Sequence, residues 1–517
     1  MKLLAFLATG LLITFPWFAR PGYLFLLDWS GAPHVPLSLN PTGGIAGVLP
    51  NILWHELSFA SSSDFAQKAL ILLILVLAGI TTAMLVQQLL AKLVQPNTNQ
   101  GIAIMCGIFA MTNPFVFNRI EMGHINLLFA YALVPLAVLL TLRFFTTPSI
   151  GSALRASIAA CGTILMSIHH IVLLPLILVF FVWHHQRARK ISLQHYAFFI
   201  GPFLVTILII ALILFNAPES SIKHLGIADT ALFAPQPQCT SSIIADTALL
   251  VAQWRNPRAV PLPCAHATLF HATWSALIIV MLIGAWHNKK LALGAVAFIA
   301  LTVTPFASAM RDSAKYIADL ALIESVLLAY GCAYIYIRTK NKIILIAGLF
   351  VVLLAGSPMF WGLSNTIIPR NYPASWHAWE EQLAQLPEKP VVLFLPWHLY
   401  LPFDFTNQTV IANPAQQFFT HASVIQGDNL EMRQKDNFIA TQSASQASQD
   451  IARALALRST PDFPPTFRTL LTTQHITYIA LSHGSPEELQ YRNLFASLPF
   501  LRQISDAPGL TVWQVEE

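Results

Sequence analysis

The chain has 517 residues, of which 55% are hydrophobic and only 10% are charged. A soluble globular domain carries about 25% charged residues, so this composition excludes an ordinary soluble protein and predicts that lipid surrounds most of the chain. The formal net charge of +5 is small and scattered, which gives no support to a nucleic-acid partner. We therefore interpret the Lys and Arg clusters as signals of membrane topology.

Apolar segments of a length suited to membrane helices recur through the first two thirds of the chain. They lie near residues 3–19, 68–91, 101–117, 125–145, 155–184, 196–215, 269–286, 291–306, 315–337 and 343–361. The first segment also resembles a signal peptide. Because Trp17 stands where a cleavage site after Ala19 needs a small residue, we predict that the first span is retained.

Three basic clusters predict which loops lie in the cytoplasm. The clusters are Arg187/Arg189/Lys190, Lys289/Lys290 and Arg338/Lys340/Lys342. They share one side of the membrane only if the run 155–184 forms two half-spans that turn at His169-His170 on the outer face. This arrangement predicts about 11 transmembrane helices, a cytoplasmic N-terminus and outer loops at 20–67 and 216–268. The alternative is one long tilted helix over 155–184, with about ten crossings and an inverted second half.

The composition changes near residue 365, where polar and Pro-rich stretches begin to separate short apolar runs. Residues 390–396, 409–412, 476–480 and 510–515 are typical of strands, and residues 443–458 and 465–474 are typical of helices. The sequence therefore predicts an α-helical polytopic protein of the plasma (inner) membrane. Its transmembrane domain covers 1–364, and an extracytoplasmic α/β domain covers 365–517.

The first outer loop carries a carboxylate at the predicted membrane surface. Asp28 follows the first span and is bracketed by Tyr23 and Trp29, aromatic residues of the kind that favour the membrane–water interface. A carboxylate held there is suited to act as a general base on a lipid-linked substrate. Glu56 in the same loop is the reserve candidate. The alternative is that Asp28 is an ordinary loop residue near the head groups.

Further polar residues cluster at the predicted outer ends of the spans. They are Arg119, Glu121, His124, His169, His170, Arg311, Asp312 and Lys315. Arg311 and Lys315 are four residues apart and share a helix face, where two cations suit a phosphate at head-group depth. The alternatives are snorkelling of the cations to the interface and polar packing of the His pair. Glu324 lies inside the last long span but one, where it either makes a structural hydrogen bond or lines a substrate channel.

The five cysteines do not form a metal-ligating pattern, since no pair has CxxC spacing. Cys239 and Cys264 lie in one predicted outer loop, where oxidation is permitted, so a disulfide and two free thiols both remain open. No cofactor is predicted. A divalent metal is compatible with such a site, but nothing in the sequence indicates one.

Three short stretches resemble the GT-C superfamily of membrane glycosyltransferases. They are Asp28 in the first outer loop, the pattern Asn113-Pro-Phe…Arg119…Gly-His124…Tyr131…Pro135, and the helix start Arg311-Asp-x-x-Lys315. The chain is similar to large bacterial members, such as the arabinofuranosyltransferase-like and YfhO-like proteins, which have many spans followed by an extracytoplasmic domain. The acidic pair found in some members is absent, since Trp29 follows Asp28.

The resemblance implies transfer of a hexosyl or pentosyl group from a polyprenyl-phosphate donor to an extracytoplasmic glycan or protein acceptor, in cell-envelope assembly. Its expected site residues are Asp28 as the catalytic group, Arg311, Lys315 and Arg119 for the donor phosphate, and Glu121, His124, His169, His170, Asp312 and Glu324 as cavity-lining candidates. The alternatives are a transporter or flippase of a lipid-linked saccharide, which would use the same outer cations without chemistry, and a non-catalytic scaffold with a glycan-binding outer domain.

We predict that the C-terminal domain lies outside the cytoplasm, because one span follows the basic loop at 338–342. A reporter that works only in the cytoplasm should therefore be inactive when fused after Glu517. The same reporter fused after Lys340 is the control and should be active. A strongly active fusion after Glu517 would contradict the topology with about 11 crossings.

Overall fold

The computed structural model describes residues 2–35, 48–185, 191–216, 233–254, 264, 267–304, 312–429, 431–434, 437–440 and 445–516. Arg311, the basic cluster at 187–190 and parts of both predicted outer loops lie outside these ranges. The helices are α1 (Lys2–Phe18), α2 (Val48–Ala60), α3 (Ser63–Leu90), α4 (Pro96–Thr112), α5 (Pro114–Glu121), α6 (Ile125–Thr146), α7 (Ile150–Met166), α8 (His170–His185), α9 (Leu193–Asn216), α10 (Ile243–Ala248), α11 (Ala267–His287), α12 (Lys289–Val303), α13 (Ile317–Thr339), α14 (Ile343–Ala355), α15 (Ala374–Ala384), α16 (Ala415–Phe418), α17 (Gln446–Ala456), α18 (Phe463–Thr473) and α19 (Glu488–Ala496). The strands are β1 (Val391–Leu395), β2 (Tyr400–Pro402), β3 (Val410–Ala412), β4 (Ser423–Ile425), β5 (Glu431–Gln434), β6 (Asn437–Ala440), β7 (Ile476–Ser482), β8 (Leu501–Ala507) and β9 (Leu510–Val515).

Every apolar run predicted from the sequence contains at least one helix. Among the described residues, 6 helical segments are long and apolar enough to cross a membrane, or up to 7 if the bent pair Ile343–Ala355 and Ser357–Asn365 counts as one span. α1, α7 and α8 are apolar but shorter. The chain is thus mostly helical with several apolar spans, whereas the count of about 11 crossings stays a prediction.

The long run 155–184 is interrupted at the predicted position. α7 ends at Met166, α8 begins at His170, and both helices pack against α6. The run is therefore not one continuous helix, as the alternative interpretation required. The break places His169 in the short turn between the two helices.

The helical part packs around one large apolar cluster that extends from Phe6 to Ile367. In lipid, helices associate through close packing of small residues, because lipid tails are as apolar as the helices themselves. At the crossing of α11 and α13, a Cβ atom on Gly331 would lie 2.0 Å from the backbone oxygen of Val280. One on Gly284 would lie 2.1 Å from that of Leu327. Only glycine at both positions permits this close approach.

The C-terminal part is built on a five-stranded sheet with the order β4-β1-β7-β9-β8. β1 pairs in parallel with β4 and β7, whereas β9 is antiparallel to β7 and β8. α17, α18 and α19 cover one face, and α15 and α16 cover the other. The four predicted strands and two predicted helices are confirmed, whereas β8, α15 and α19 were not predicted. The domain boundary at residues 364 and 365 stays a prediction.

The loop after α1 is attached to the C-terminal part. The backbone N–H of Ala412 in β3 donates to the carbonyl of Leu27 at 2.7 Å. The hydroxyl of Tyr372 donates to the carbonyl of Gly31 at 2.6 Å. These contacts join residues more than 300 positions apart, and they hold the segment that carries Asp28 against the two-stranded β2–β3 pair and the residues before α15.

Cys239 and Cys264 form a disulfide, with Cα atoms 5.6 Å apart. The bonded alternative is therefore the one found. Asp246 supports this segment by accepting a hydrogen bond from the backbone N–H of Cys239 at 2.7 Å. Asn118 in α5 donates from Nδ2 to the carbonyl of Val251 at 3.4 Å, which joins the disulfide-bonded segment to the helical part.

The crossing of α11 and α13 predicts a position-dependent effect of adding a side chain. Gly331→Val should destabilise the protein by about 1–3 kcal/mol, because the added carbons meet backbone atoms that cannot move aside. Gly162→Val is the matched control, since a Cβ there meets nothing within 4 Å. Thermal unfolding of the detergent-purified proteins measures the difference. Equal midpoints for the two variants would contradict the crossing geometry.

Candidate active site

Asp28 lies in the loop after α1, and two side chains hold its carboxylate. The hydroxyl of Tyr400 donates to Oδ1 at 2.8 Å, and Nε2 of His124 lies 2.9 Å from Oδ2. The backbone N–H of Asp28 donates to the carbonyl of Met122 at 2.9 Å. The side chain is nevertheless 32% exposed. The carboxylate is thus held in one orientation and still open to a reactant.

The motif between α4 and α6 explains how His124 reaches Asp28. Asn113 caps α5 with its side chain, and the proline that follows occupies the first helical turn. The helix ends at Glu121, and the chain then turns at Gly123, whose φ is 74°. A Cβ atom there would lie 2.7 Å from the backbone nitrogen of Trp29, so only glycine lets the first loop approach this closely. His124 follows directly and faces the carboxylate.

A buried ion pair lies behind His124. Nη1 of Arg119 donates to Oδ2 of Asp312 at 2.9 Å, and the two side chains are only 1% and 4% exposed. The same Nη1 lies 3.0 Å from Nδ1 of His124. Because guanidinium groups only donate, Nδ1 must accept, and the imidazole proton is then on Nε2, where it points to Asp28. Arg119 therefore selects the tautomer that donates to the carboxylate.

The charges around Asp312 are mainly positive. Burial raises the pKa of Asp312, but the charges of Arg119 and Lys315, together with the hydrogen bond from Arg119, hold it below its ordinary value. Burial, and after it the charge of Lys315, lowers the pKa of His169 well below its ordinary value. Lys315 and His169 thus belong to the same electrostatic cluster. The loop between α7 and α8 therefore lies close enough to these cations for their charges to act on His169.

The structure brings together six of the residues that the sequence singled out. They are Asp28, Arg119, His124, His169, Asp312 and Lys315. Glu121 ends α5 beside them, and its carbonyl accepts from the N–H of Leu27 at 3.5 Å. One expected role does not match the geometry: Arg119 is buried and paired with Asp312, so it does not offer an open phosphate contact.

Four further candidates remain, of which Arg311 is outside the described ranges. Glu56 is exposed on α2. His170 is fully buried at the start of α8, and neither ring nitrogen has a partner in the described part of the chain. Glu324 is 5% exposed within α13, with one carboxylate oxygen unpartnered there. Arg311 is outside the described residues, so its contact with a donor phosphate stays a prediction.

Sequence reasoning missed Tyr400. It belongs to β2 in the C-terminal part, 372 positions from Asp28, and no local pattern links the two residues. The sequence shows only a tyrosine at the start of a short strand. Tyrosine is common in strands, so this position does not point to a role in the site. As for metals, no group of three or more His, Cys, Asp and Glu side chains within the described ranges is arranged to hold an ion.

Comparisons with known proteins bear on the fold. No protein-family model and no curated protein matches the chain. Among solved structures, the arabinofuranosyltransferase AftD from Mycobacteria aligns with a TM-score of 0.65 at 14% identity, over 100% of this chain and 40% of AftD. ArnT from Cupriavidus metallidurans, bound to undecaprenyl phosphate, aligns with a TM-score of 0.50 at 11% identity, over 99% of this chain and 97% of ArnT.

The chain has the GT-C fold. The resemblance drawn from the three short stretches is therefore confirmed at the level of the fold, and the chain is a multi-pass membrane protein. It spans less than half the length of AftD. Within the GT-C fold, the cluster around Asp28 lies where the loop after the first helix, the end of α5 and the C-terminal part meet.

The buried pair predicts a non-additive response to charge removal. Asp312→Asn should destabilise the protein by about 3–5 kcal/mol, because it leaves the Arg119 charge buried without a partner. Arg119→Met should be similarly harmful. The double variant removes both charges and should lose clearly less stability than the sum of the single variants. Unfolding of the purified proteins, followed by tryptophan fluorescence, measures this coupling, and strictly additive losses would contradict the ion pair.

Proposed function

We propose that this chain is an integral membrane glycosyltransferase that transfers a sugar from a polyprenyl-phosphate donor to a hydroxyl group of an extracytoplasmic glycan or protein. The observation that carries the proposal is a partly exposed carboxylate, Asp28, held next to a buried cationic cluster on a GT-C fold. AftD is an arabinofuranosyltransferase, and ArnT was solved with undecaprenyl phosphate. Both facts support this class of reaction and donor.

In the proposed reaction, Asp28 acts as the general base. Its carboxylate takes the proton of an acceptor hydroxyl, and the hydroxyl oxygen forms a bond to the anomeric carbon of the donor sugar. The bond between that carbon and the phosphate oxygen breaks, and polyprenyl phosphate leaves with the bonding electrons. The Nε2–H of His124 donates to Oδ2 and holds the carboxylate in place for this step.

The leaving phosphate is stabilised by the basic side of the cluster. Arg119 and Lys315 carry two positive charges against the one negative charge of Asp312, so the cluster keeps a net charge of about +1 beside Asp28. Lys315 is only half-buried, which suits direct contact with phosphate. Arg119 instead holds Asp312 and His124 in place. Arg311, four residues before Lys315, is the second proposed phosphate contact.

The proposal extends to the setting of the reaction. We place the chain in the plasma (inner) membrane, with its N-terminus in the cytoplasm and its C-terminal part outside. The donor phosphate then lies at head-group depth in the outer leaflet, where the cations at the start of α13 are predicted to lie. No nucleotide is needed, because the lipid phosphate both anchors and activates the sugar.

Asp28→Asn tests the catalytic assignment. The change keeps the size of the side chain but replaces one of its two acceptor oxygens by an NH₂ group and removes the proton acceptor, so turnover should fall by about 10²–10⁴-fold. Turnover is measured in nanodiscs as release of polyprenyl phosphate from a panel of polyprenyl-phosphate pentoses and hexoses, with envelope extract as the acceptor source. Binding of undecaprenyl phosphate, used as the probe for the donor site, should be unchanged in this variant.

Glu56→Gln is the matched control, because it removes an exposed carboxylate from the same loop region. It should leave turnover near the unmodified value. Near-normal turnover of the Asp28→Asn protein would remove Asp28 as the base. Loss of activity in Glu56→Gln alone would move that role to Glu56. If no transfer appeared with any polyprenyl-linked sugar of the panel, the transporter alternative would take precedence.

A further inference from the structure

Tyr400 is the one contact of the Asp28 side chain that comes from the C-terminal part, as far as the described residues show. Its hydroxyl donates to Oδ1 at 2.8 Å, on the oxygen that His124 does not contact. Tyr400 pairs with Ala412 across the β2–β3 ladder. Ala412 in turn donates its N–H to the carbonyl of Leu27 at 2.7 Å. Two neighbouring residues of one ladder thus contact two neighbouring residues of the loop.

We propose that Tyr400 is a positioning residue for the transfer reaction, through which the C-terminal part sets the orientation and the charge of Asp28. This inference rests on the proposed role of Asp28 as general base. A donor on Oδ1 favours the ionised form of the carboxylate, which is the form that can accept a proton. The C-terminal part then completes the active site and is not an appendage to it.

The rigidity of the surroundings supports this role. Tyr400 is fixed by strand pairing, and the loop is fixed by the Ala412–Leu27 and Tyr372–Gly31 hydrogen bonds. Backbone hydrogen bonds thus fix both the strand that carries Tyr400 and the loop that carries Asp28. Because little further ordering is needed, the hydrogen bond between the two side chains forms with little loss of entropy and is preorganised. A mobile surface tyrosine would not have this effect, because water would compete equally for the carboxylate oxygen.

The titratable and charged groups that face Asp28 come from three elements. His124 at the start of α6 contacts Oδ2, and Arg119 and Glu121 of α5 lie behind it and beside it. Tyr400 faces Oδ1 from the C-terminal part. Since Arg119 fixes the proton of His124 on Nε2, the two donors act on different oxygens and their effects are separable by mutation.

The pH dependence of turnover tests the proposal, with Tyr400→Phe and Tyr372→Phe compared in the full-length protein. Both changes remove a hydroxyl that the C-terminal part donates to the same loop, but only Tyr400 contacts the carboxylate. In Tyr400→Phe, the acid limb of the curve of turnover against pH should move to higher pH by about one unit. The reason is that the carboxylate loses a hydrogen bond, which solvent replaces only in part. At a pH well below the midpoint, the variant should then be about tenfold slower. Tyr372→Phe should keep the unmodified midpoint.

A second variant guards against poor folding of Tyr400→Phe. Site-specific replacement of Tyr400 by 3-fluorotyrosine keeps the shape of the ring and makes its hydroxyl a stronger donor, so the acid limb should move to lower pH. Binding of undecaprenyl phosphate, measured in each of these proteins, should be equal and shows that the donor site is intact.

The outcomes separate this inference from the proposed function. An acid limb that stays unchanged in both Tyr400 variants, in an enzyme that Asp28→Asn inactivates, would overturn the role of Tyr400 and leave the base assignment standing. An equal shift in Tyr372→Phe would also overturn it, because the effect would then act through the loop backbone. Normal turnover of Asp28→Asn would instead remove Asp28 as the base, and with it the proposed role on which this inference rests.

Discussion

The candidate site depends on the buried ion pair between Arg119 and Asp312. Taking two charges out of water is unfavourable, and the loss is offset only when the pair has good geometry and further hydrogen bonds. Here the pair joins α5 to the turn before α13, across 193 positions of sequence. The guanidinium of Arg119 also contacts His124, and His124 in turn contacts the carboxylate of Asp28. The orientation of the partly exposed Asp28 carboxylate therefore depends on a buried contact between packed helices.

The site has two sides with different origins. The helical part supplies the ion pair, the histidine and Lys315, and the C-terminal part supplies Tyr400 and the backbone contacts that hold the loop. This division has a physical logic for a reaction on a lipid-linked substrate. In the proposed orientation, cations at the ends of membrane helices would lie at head-group depth, and an acceptor from water would arrive on the side of the C-terminal part. A carboxylate between the two is reached from both.

Much of this arrangement was predictable from sequence, because local patterns carry it. Apolar runs specify membrane helices wherever they occur, since each backbone polar group in lipid must be satisfied within its own helix. Short apolar runs between polar and Pro-rich stretches specified the central strands of the sheet. The position of Asp28 after an apolar helix, and the glycine and histidine that end α5, were likewise local signals. They identified most members of the cluster before their geometry was known.

The amino-acid sequence by itself therefore determined the helices, the break at the His pair, the main strands and the candidates for the site. Only the tertiary structure decided which charges pair with each other, and so turned Arg119 from an expected phosphate ligand into the partner of Asp312. It alone also brought Tyr400 to Asp28 and Cys239 to Cys264. The reason is that periodicity reports the environment of one segment, whereas the partner of a polar group is chosen by packing between segments that lie hundreds of residues apart.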